Sequence, residues 1–209
     1  MPKITAIKQQ RRQARVNVFI DEKFGFGLSK KTLVDFDLFV SKEISEKEIE
    51  EILEKDQRVK ALEKSFRLLG IRPRSQKELE KKLKEKGFDD SIIKKTFKKL
   101  KEYNYLDDKK FAKNWLRWRK LSGKGKFVVS WELKQKGIKE EIIKETLKKY
   151  SVADEFKIAL EMAEKKKRSF KNLKPLERKQ KLAQFLASRG FGWETIGRVL
   201  REIRIKQGE

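Results

Sequence analysis

Apolar positions along this chain change period once, from two residues to about 3.6. In residues 1–28 the period is two. Ile4 and Ala6 alternate with polar partners, Val16, Val18 and Ile20 alternate with Arg15, Asn17 and Phe19, and Phe24-Gly25-Phe26-Gly27-Leu28 alternates again. Alternation over short runs fits half-buried strands, and the polar Asp21-Glu22-Lys23 between two of them reads as a turn. A small antiparallel β-meander is expected, with its glycines marking a bulge or a close backbone approach. A short helix is predicted at Lys31–Phe36. Ser45-Glu46-Lys47-Glu48 has capping-box spacing and opens a helix through Ile49, Ile52 and Leu53.

From residue 57 onward the pattern is helical and repeats. Three segments align without gaps on Gly87, Gly137 and Gly190. Eight residues before the glycine stand Leu79, Val129 and Leu182; four before it stand Leu83, Leu133 and Leu186. One residue after it come Phe88, Ile138 and Phe191. Five and six after come Ile92-Ile93, Ile142-Ile143 and Thr195-Ile196; ten after, Phe97, Leu147 and Leu200; thirteen after, Leu100, Tyr150 and Ile203. Of these 21 slots 20 are apolar, whereas 37 % of the chain is hydrophobic and chance would fill about eight. Self-similarity at about 50 residues is the mark of a tandem array.

Each unit reads as helix–Gly–helix. The glycine stands where a helix end needs a left-handed residue, and Asp89 or Asp90 can cap the next helix. A further amphipathic helix precedes each pair: Val59, Leu62, Phe66 and Leu69 in the first unit; Phe111, Trp115 and Trp118, opened by Asp107 or Asp108, in the second; Phe156, Ala159, Leu160 and Ala163 in the third. The expected fold is therefore mostly α, a tandem array of three three-helix repeats behind a small β-meander and short helices. Its expected divisions are 1–56, 57–106, 107–153 and 154–209, with almost no linker between repeats, as in an elongated solenoid.

Composition narrows the chemistry. The chain has neither Cys nor His, which removes thiol nucleophiles, disulfides and the usual zinc sites, and also the commonest general base near neutral pH. No apolar run approaches a membrane span and the N-terminus has no signal-peptide core, so a cytoplasmic location is expected. Net charge is +24, and its distribution matters more than its size. Residues 1–56 hold 11 basic and 11 acidic residues, so the whole excess falls in residues 57–209. Such a field attracts polyanions, nucleic acid foremost.

Few residues invite a catalytic reading. Asp107-Asp108 could be a magnesium site only if further carboxylates converged on it; an N-cap favoured by the helix dipole is the simpler account. Gly25-x-Gly27 and Gly123-x-Gly125 do not continue into a nucleotide-binding loop. No catalytic residue, metal, cofactor or small-molecule substrate is expected. Basic clusters remain: Arg67, Arg72, Arg74 and Lys77 around the first inter-helix turn, Arg117, Arg119, Lys120, Lys124 and Lys126 around the matching turn of the second unit, and a run including Lys167 and Arg168 in the third. Their recurrence at equivalent places suggests a stripe that tracks a phosphate backbone. Trp115 and Trp118 lie beside it, Trp115 at core spacing. Helices such as SIIKKTFKKL are rich in Lys and poor in the Asn, Gln and Arg that read base edges, which argues against a sequence-specific helix-turn-helix reader.

Two motifs resemble a known family. Arg72-x-Arg74-Ser75-x-x-Glu78-Leu79-x-x-x-Leu83-x-x-Lys86-Gly87 is similar to the first-repeat signature of RecX proteins. Tyr105-Leu106-Asp107-Asp108-x-x-Phe111-Ala112, followed by Trp115, Arg119, Gly125 and Glu132-Leu133-x-x-Lys136-Gly137-Ile138, resembles the second. Ala183, Leu186, Arg189-Gly190-Phe191 and Ile196 resemble the third, and the N-terminal strands resemble an extension found in some members. The resemblance implies a stack of three-helix repeats that binds the RecA–single-stranded DNA filament and limits its growth or promotes its disassembly. It thereby implies a regulator of recombination, DNA repair and the SOS response with no hydrolytic activity of its own. The implied partners are the recombinase filament and single-stranded DNA, with double-stranded DNA a second candidate and no membrane. The competing reading is a sequence-nonspecific DNA- or RNA-binding helical-repeat protein.

Overall fold

The alternating N-terminus forms three antiparallel strands, β1 (Ile4–Gln9), β2 (Arg15–Ile20) and β3 (Lys23–Ser29), in the order β1-β2-β3. The computed structural model describes residues 1–11 and 14–203, so the end of the third repeat expected at 154–209 lies partly outside the described residues. One face of the sheet buries Ile4, Val16, Val18, Phe26 and Leu28 against Leu38, Ile44 and Ile52. Val18 pairs with Phe26 and Phe19 with Phe24, so Gly25 is the extra residue of a β-bulge. The turn at Asp21 and Glu22 takes two positive φ angles, as a tight hairpin requires. The Asp21 carboxylate accepts the Lys3 N–H (3.0 Å), and the Glu22 N–H donates to the Thr5 hydroxyl (2.9 Å), which holds it.

Helix α1 (Lys30–Asp35) starts under a Ser29 cap. Helix α2 (Glu46–Ile71) opens with the expected capping box: the Ser45 hydroxyl accepts from the Glu48 N–H and the Glu48 carboxylate accepts from the Ser45 N–H. It then runs unbroken for 26 residues. The position between 56 and 57 therefore lies inside a helix, because no Gly or Pro interrupts the chain from Glu46 to Leu69.

The remaining helices are α3 (Gln76–Lys84), α4 (Asp90–Glu102), α5 (Asp108–Leu121), α6 (Lys126–Gln135), α7 (Glu140–Lys148), α8 (Val152–Lys167), α9 (Pro175–Ser188) and α10 (Trp193–Glu202). Gly87, Gly137 and Gly190 have φ of +80°, +74° and +83°. After each, the next residue's N–H donates to the carbonyl five residues back: Phe88 to Leu83, Ile138 to Leu133, Phe191 to Leu186. This is the Schellman closure, and it brings together the two side chains that flank it. The apolar register four before and one after each glycine is thus a consequence of how these helices end. Asp89 sits at the N-cap of α4 but its side chain makes no capping hydrogen bond, whereas Asp107 caps α5 from its side chain.

The chain divides into two compact units, residues 1–73 with 79–106, and residues 74–78 with the chain from Asp107 onward. The first holds the sheet core and a helical core of Leu79, Leu83, Ile93, Phe97, Leu100 and Leu106, covered by Leu62 and Phe66 of α2. The second holds one core around Phe111, Leu116, Val129, Leu133 and Ile143 and another around Ala159, Leu182, Leu186, Phe191 and Val199.

Asp56 joins sheet to helix in the first unit. It is 1 % exposed, and its carboxylate accepts from the Ser29 N–H (2.7 Å), Arg15 (3.1 Å) and Lys60 (2.9 Å). Burial raises its pKa, but the hydrogen bonds from Lys60, Ser29 and Arg15 outweigh burial and hold it below the ordinary carboxylate value. A carboxyl depressed in the folded state stabilises above its unfolded pKa of about 3.9 and loses that contribution as pH falls through the folded value. Asp56→Asn should cost about 2 kcal/mol at neutral pH, less than a fully buried pair because Arg15 and Lys60 reach solvent. Thermal melts across the acid range check this: the difference between wild type and variant should narrow only there, and a variant equally stable at neutral pH would refute it.

Candidate functional site

The second three-helix domain shows what fixes its basic residues. The Glu132 carboxylate on α6 accepts from Arg119 Nε (2.6 Å) and from Trp115 Nε1 (2.8 Å) on α5. The Arg119 guanidinium lies over the rings of Trp118 (4.3 Å) and Trp115 (4.8 Å). Lys136 lies over Trp115 (4.2 Å) and pairs with Glu78 (2.8 Å). Arg119 and Glu132 are only 20 % and 14 % exposed. Arg119 is therefore neutralised and stacked inside its own domain, which makes it a clasp between α5 and α6. Trp115 packs against the core beside Phe111, as its spacing predicts, and Trp118 stays half exposed with Arg119 over its ring.

A second cluster surrounds Tyr150. Its buried hydroxyl donates to the Lys124 carbonyl (3.1 Å), and Lys120 and Lys126 lie over its ring. Burial first, then the charges of Glu155 and Asp154, push the hydroxyl far above its ordinary pKa, so it remains a neutral donor. Lys120 pairs with Asp154 (2.7 Å) and Lys126 with Glu155 (3.7 Å). The backbone N–H of Lys126 also donates to Glu155 (2.9 Å). Asp154 and Glu155 were not singled out in the sequence, and Glu132 stood there only as a motif residue and not as a partner of Arg119, because these carboxylates lie 13 to 34 residues from the groups they bind.

The other basic positions are more open. Arg67 is exposed on α2 in a cleft of the first unit that also presents Lys64 and Lys86. Arg72 follows the end of α2 and donates to the Pro73 carbonyl (3.1 Å). Arg74 is half-buried and Lys77 exposed at the start of α3, where the Ser75 hydroxyl donates to the Lys136 carbonyl (2.6 Å). Arg117 is exposed on α5 and Lys124 half-buried after it; Lys167 pairs with Glu164 (3.8 Å), and Arg168 is exposed in the one-turn 3-10 helix Arg168–Phe170. Arg67, Lys77, Arg117, Lys124 and Arg168 have no ion-pair partner among the described residues.

The acidic pair is structural. Asp107 accepts from the N–H groups of Lys109 (2.8 Å) and Lys110 (3.0 Å), and Asp108 accepts from the Gln76 N–H (2.9 Å). Among the described residues no three acidic side chains gather as a metal site would require. No described helix is long and apolar enough to cross a membrane.

Comparison with known proteins adds the identity. Residues 2–45 match the regulatory protein RecX N-terminal domain, and residues 61–100, 107–147 and 153–200 match the first, second and third RecX three-helix domains. The regulatory protein RecX of Bacillus licheniformis is 42 % identical over 97 % of this chain and 78 % of its own length. The chain belongs to the RecX family. The RecX of Bacillus subtilis strain 168 is 34 % identical across all of this chain and 80 % of its own. A crystal structure of regulatory protein RecX superposes with a TM-score of 0.76 at 29 % identity, covering 97 % of this chain and 100 % of that one. These relatives are named as regulatory proteins.

Proposed function

We propose that this RecX-family protein is a non-catalytic regulator that binds the RecA–single-stranded DNA filament and inhibits or remodels it, and so modulates recombination, DNA repair and the SOS response. Membership of a family of regulatory proteins along nearly the whole chain carries this reading. The charge supports it: residues 57–209 hold the entire +24, and Arg67, Lys77, Arg117, Lys124 and Arg168 are left to meet an outside anion. Arg72, Arg74 and Lys167 are proposed to add further contacts, and Lys120 and Lys126 to act through whatever charge their carboxylate partners leave. Arg119 acts by holding the domain together.

The test is recombinase ATP hydrolysis on single-stranded DNA. Inhibition is expected at fewer than one molecule per recombinase subunit, because a chain with several basic contacts spans neighbouring subunits and gains from effective concentration. Full recovery of the rate on adding excess DNA would instead favour a sequence-nonspecific nucleic-acid-binding protein, which the net charge alone would also permit.

A further inference from the structure

Two helices of the second compact unit turn matching stripes toward one cavity. On α5, Lys113, Leu116, Arg117, Lys120 and Leu121 recur at spacings of three and four, and on α8 Ile158, Glu161, Met162 and Lys165 do the same. That spacing puts each set on a single helix face. With Thr146 and Lys149 from the end of α7 they line an open cavity of about 470 Å³, within the range that holds a bulky ligand group.

The lining has two zones. Leu116, Ile158 and Met162 supply an aliphatic and thioether floor, and Leu121 stands 81 % exposed among the lining residues. Five cations accompany them against one carboxylate, Glu161. Lys120 is held by Asp154, whereas Lys113, Arg117, Lys149 and Lys165 have no ion-pair partner among the described residues. Gathered like charges and open apolar surface are each unfavourable when left alone, and a single occupant that is both acidic and apolar relieves both.

The lining also decides what kind of occupant fits. No aromatic ring and no Asn or Gln faces the cavity, so a nucleobase would find no aromatic stacking surface and no amide to read its edge, and only the Arg117 guanidinium to lie against. Aliphatic carbon and a methionine thioether instead accommodate an apolar side chain, since Met adapts its shape to what it meets.

We propose that this cavity is a docking site for an acidic peptide segment of a protein partner, one large aliphatic side chain seated on Leu116, Ile158 and Met162 and flanking carboxylates meeting Lys113, Arg117, Lys149 and Lys165. This goes beyond the filament reading and does not depend on it, because the deciding comparison, a Leu peptide against a Ser peptide, contains neither recombinase nor DNA.

Fluorescence anisotropy with the full chain uses a short labelled peptide of Asp and Glu around a central Leu. The same peptide with Ser at its centre should bind at least about tenfold more weakly. Lys113→Glu with Lys165→Glu should weaken the Leu peptide by at least about tenfold, while Lys94→Glu with Lys98→Glu, an equal charge change on α4, should alter it less than about twofold. Leu and Ser peptides that bind alike to the wild type would overturn the proposal, and that comparison needs no variant to fold. An oligothymidylate whose own binding collapses in the Lys113→Glu, Lys165→Glu protein would also overturn it by giving the cavity to nucleic acid.

Discussion

Gly190→Ala should destabilise the second compact unit by about 3 kcal/mol or more, whereas Gly87→Ala should cost the first unit only about 1 kcal/mol. The two glycines end equivalent helices with nearly the same φ, +83° and +80°, so an alanine at either meets the same left-handed penalty. Their surroundings differ. A β-carbon on Gly87 meets nothing within 4 Å, but one on Gly190 lies 2.5 Å from the Val128 backbone nitrogen and 2.8 Å from its Cβ. The obstacle is a helix, since the Phe127 N–H donates to the Gly190 carbonyl (3.1 Å) and the Gly125 N–H to the Arg189 carbonyl (2.9 Å). The turn of the third domain is thus hydrogen-bonded to the start of α6, and neither can retreat without losing those bonds. Urea unfolding of both variants, followed by the midpoint of the transition each unit shows, separates the two contributions. Equal losses would mean that the backbone conformation, and not the close approach, sets the cost.

The same comparison shows why so much of the fold was legible. A Schellman closure needs a left-handed residue and an apolar pair around it, and both requirements are written locally at Leu83-Gly87-Phe88, Leu133-Gly137-Ile138 and Leu186-Gly190-Phe191. All 21 register positions are buried or half-buried. What escaped was set by tertiary contact or by chemistry that reads as polar. Nine residues after each glycine stand Thr96, Thr146 and Val199, all buried, yet the two threonines do not announce a core position. The continuity of α2 was hidden because the repeat suggested a start at residue 57, although nothing in the chain breaks the helix there. The site was less legible than the fold. Arg119 occupies a place equivalent to other surface cations, but Glu132 lies on a different helix 13 residues away, and only ion pairs three or four residues apart can be read from spacing. Lys113 and Lys149 belong to none of the basic clusters read from the sequence, and Lys165 stands there only as part of the third, because their meaning lies in the cavity that α5, α7 and α8 make together.

Replacing Arg67, Lys77 and Arg168 together with Glu should raise the concentration needed for half-inhibition of recombinase ATP hydrolysis at least about tenfold. The three are exposed and have no ion-pair partner among the described residues, so each reversal should remove an outside contact and disturb little inside. Reversing Lys3, Lys8, Lys23 and Lys30, exposed residues of the charge-neutral N-terminal segment, should shift the same concentration less than about twofold, although it changes more charges. Total charge alone predicts the opposite order, which makes the pair of variants decisive. Salt gives an independent reading: each phosphate contact to single-stranded DNA contributes about 0.7 to the logarithmic salt slope, so the triple variant should flatten that slope by up to about 2. Arg117 is left in place because it lines the cavity, so that loss here and loss of peptide binding there remain separate results. Arg119 is left in place for a different reason. A glutamate there would face Glu132 with little solvent to screen it and would uncover the rings of Trp115 and Trp118, so Arg119→Glu should lower the melting temperature, and any lost inhibition would follow from unfolding. A folded Arg67→Glu, Lys77→Glu, Arg168→Glu protein that inhibits like wild type, with an unchanged salt slope, would show that the filament is bound through other residues.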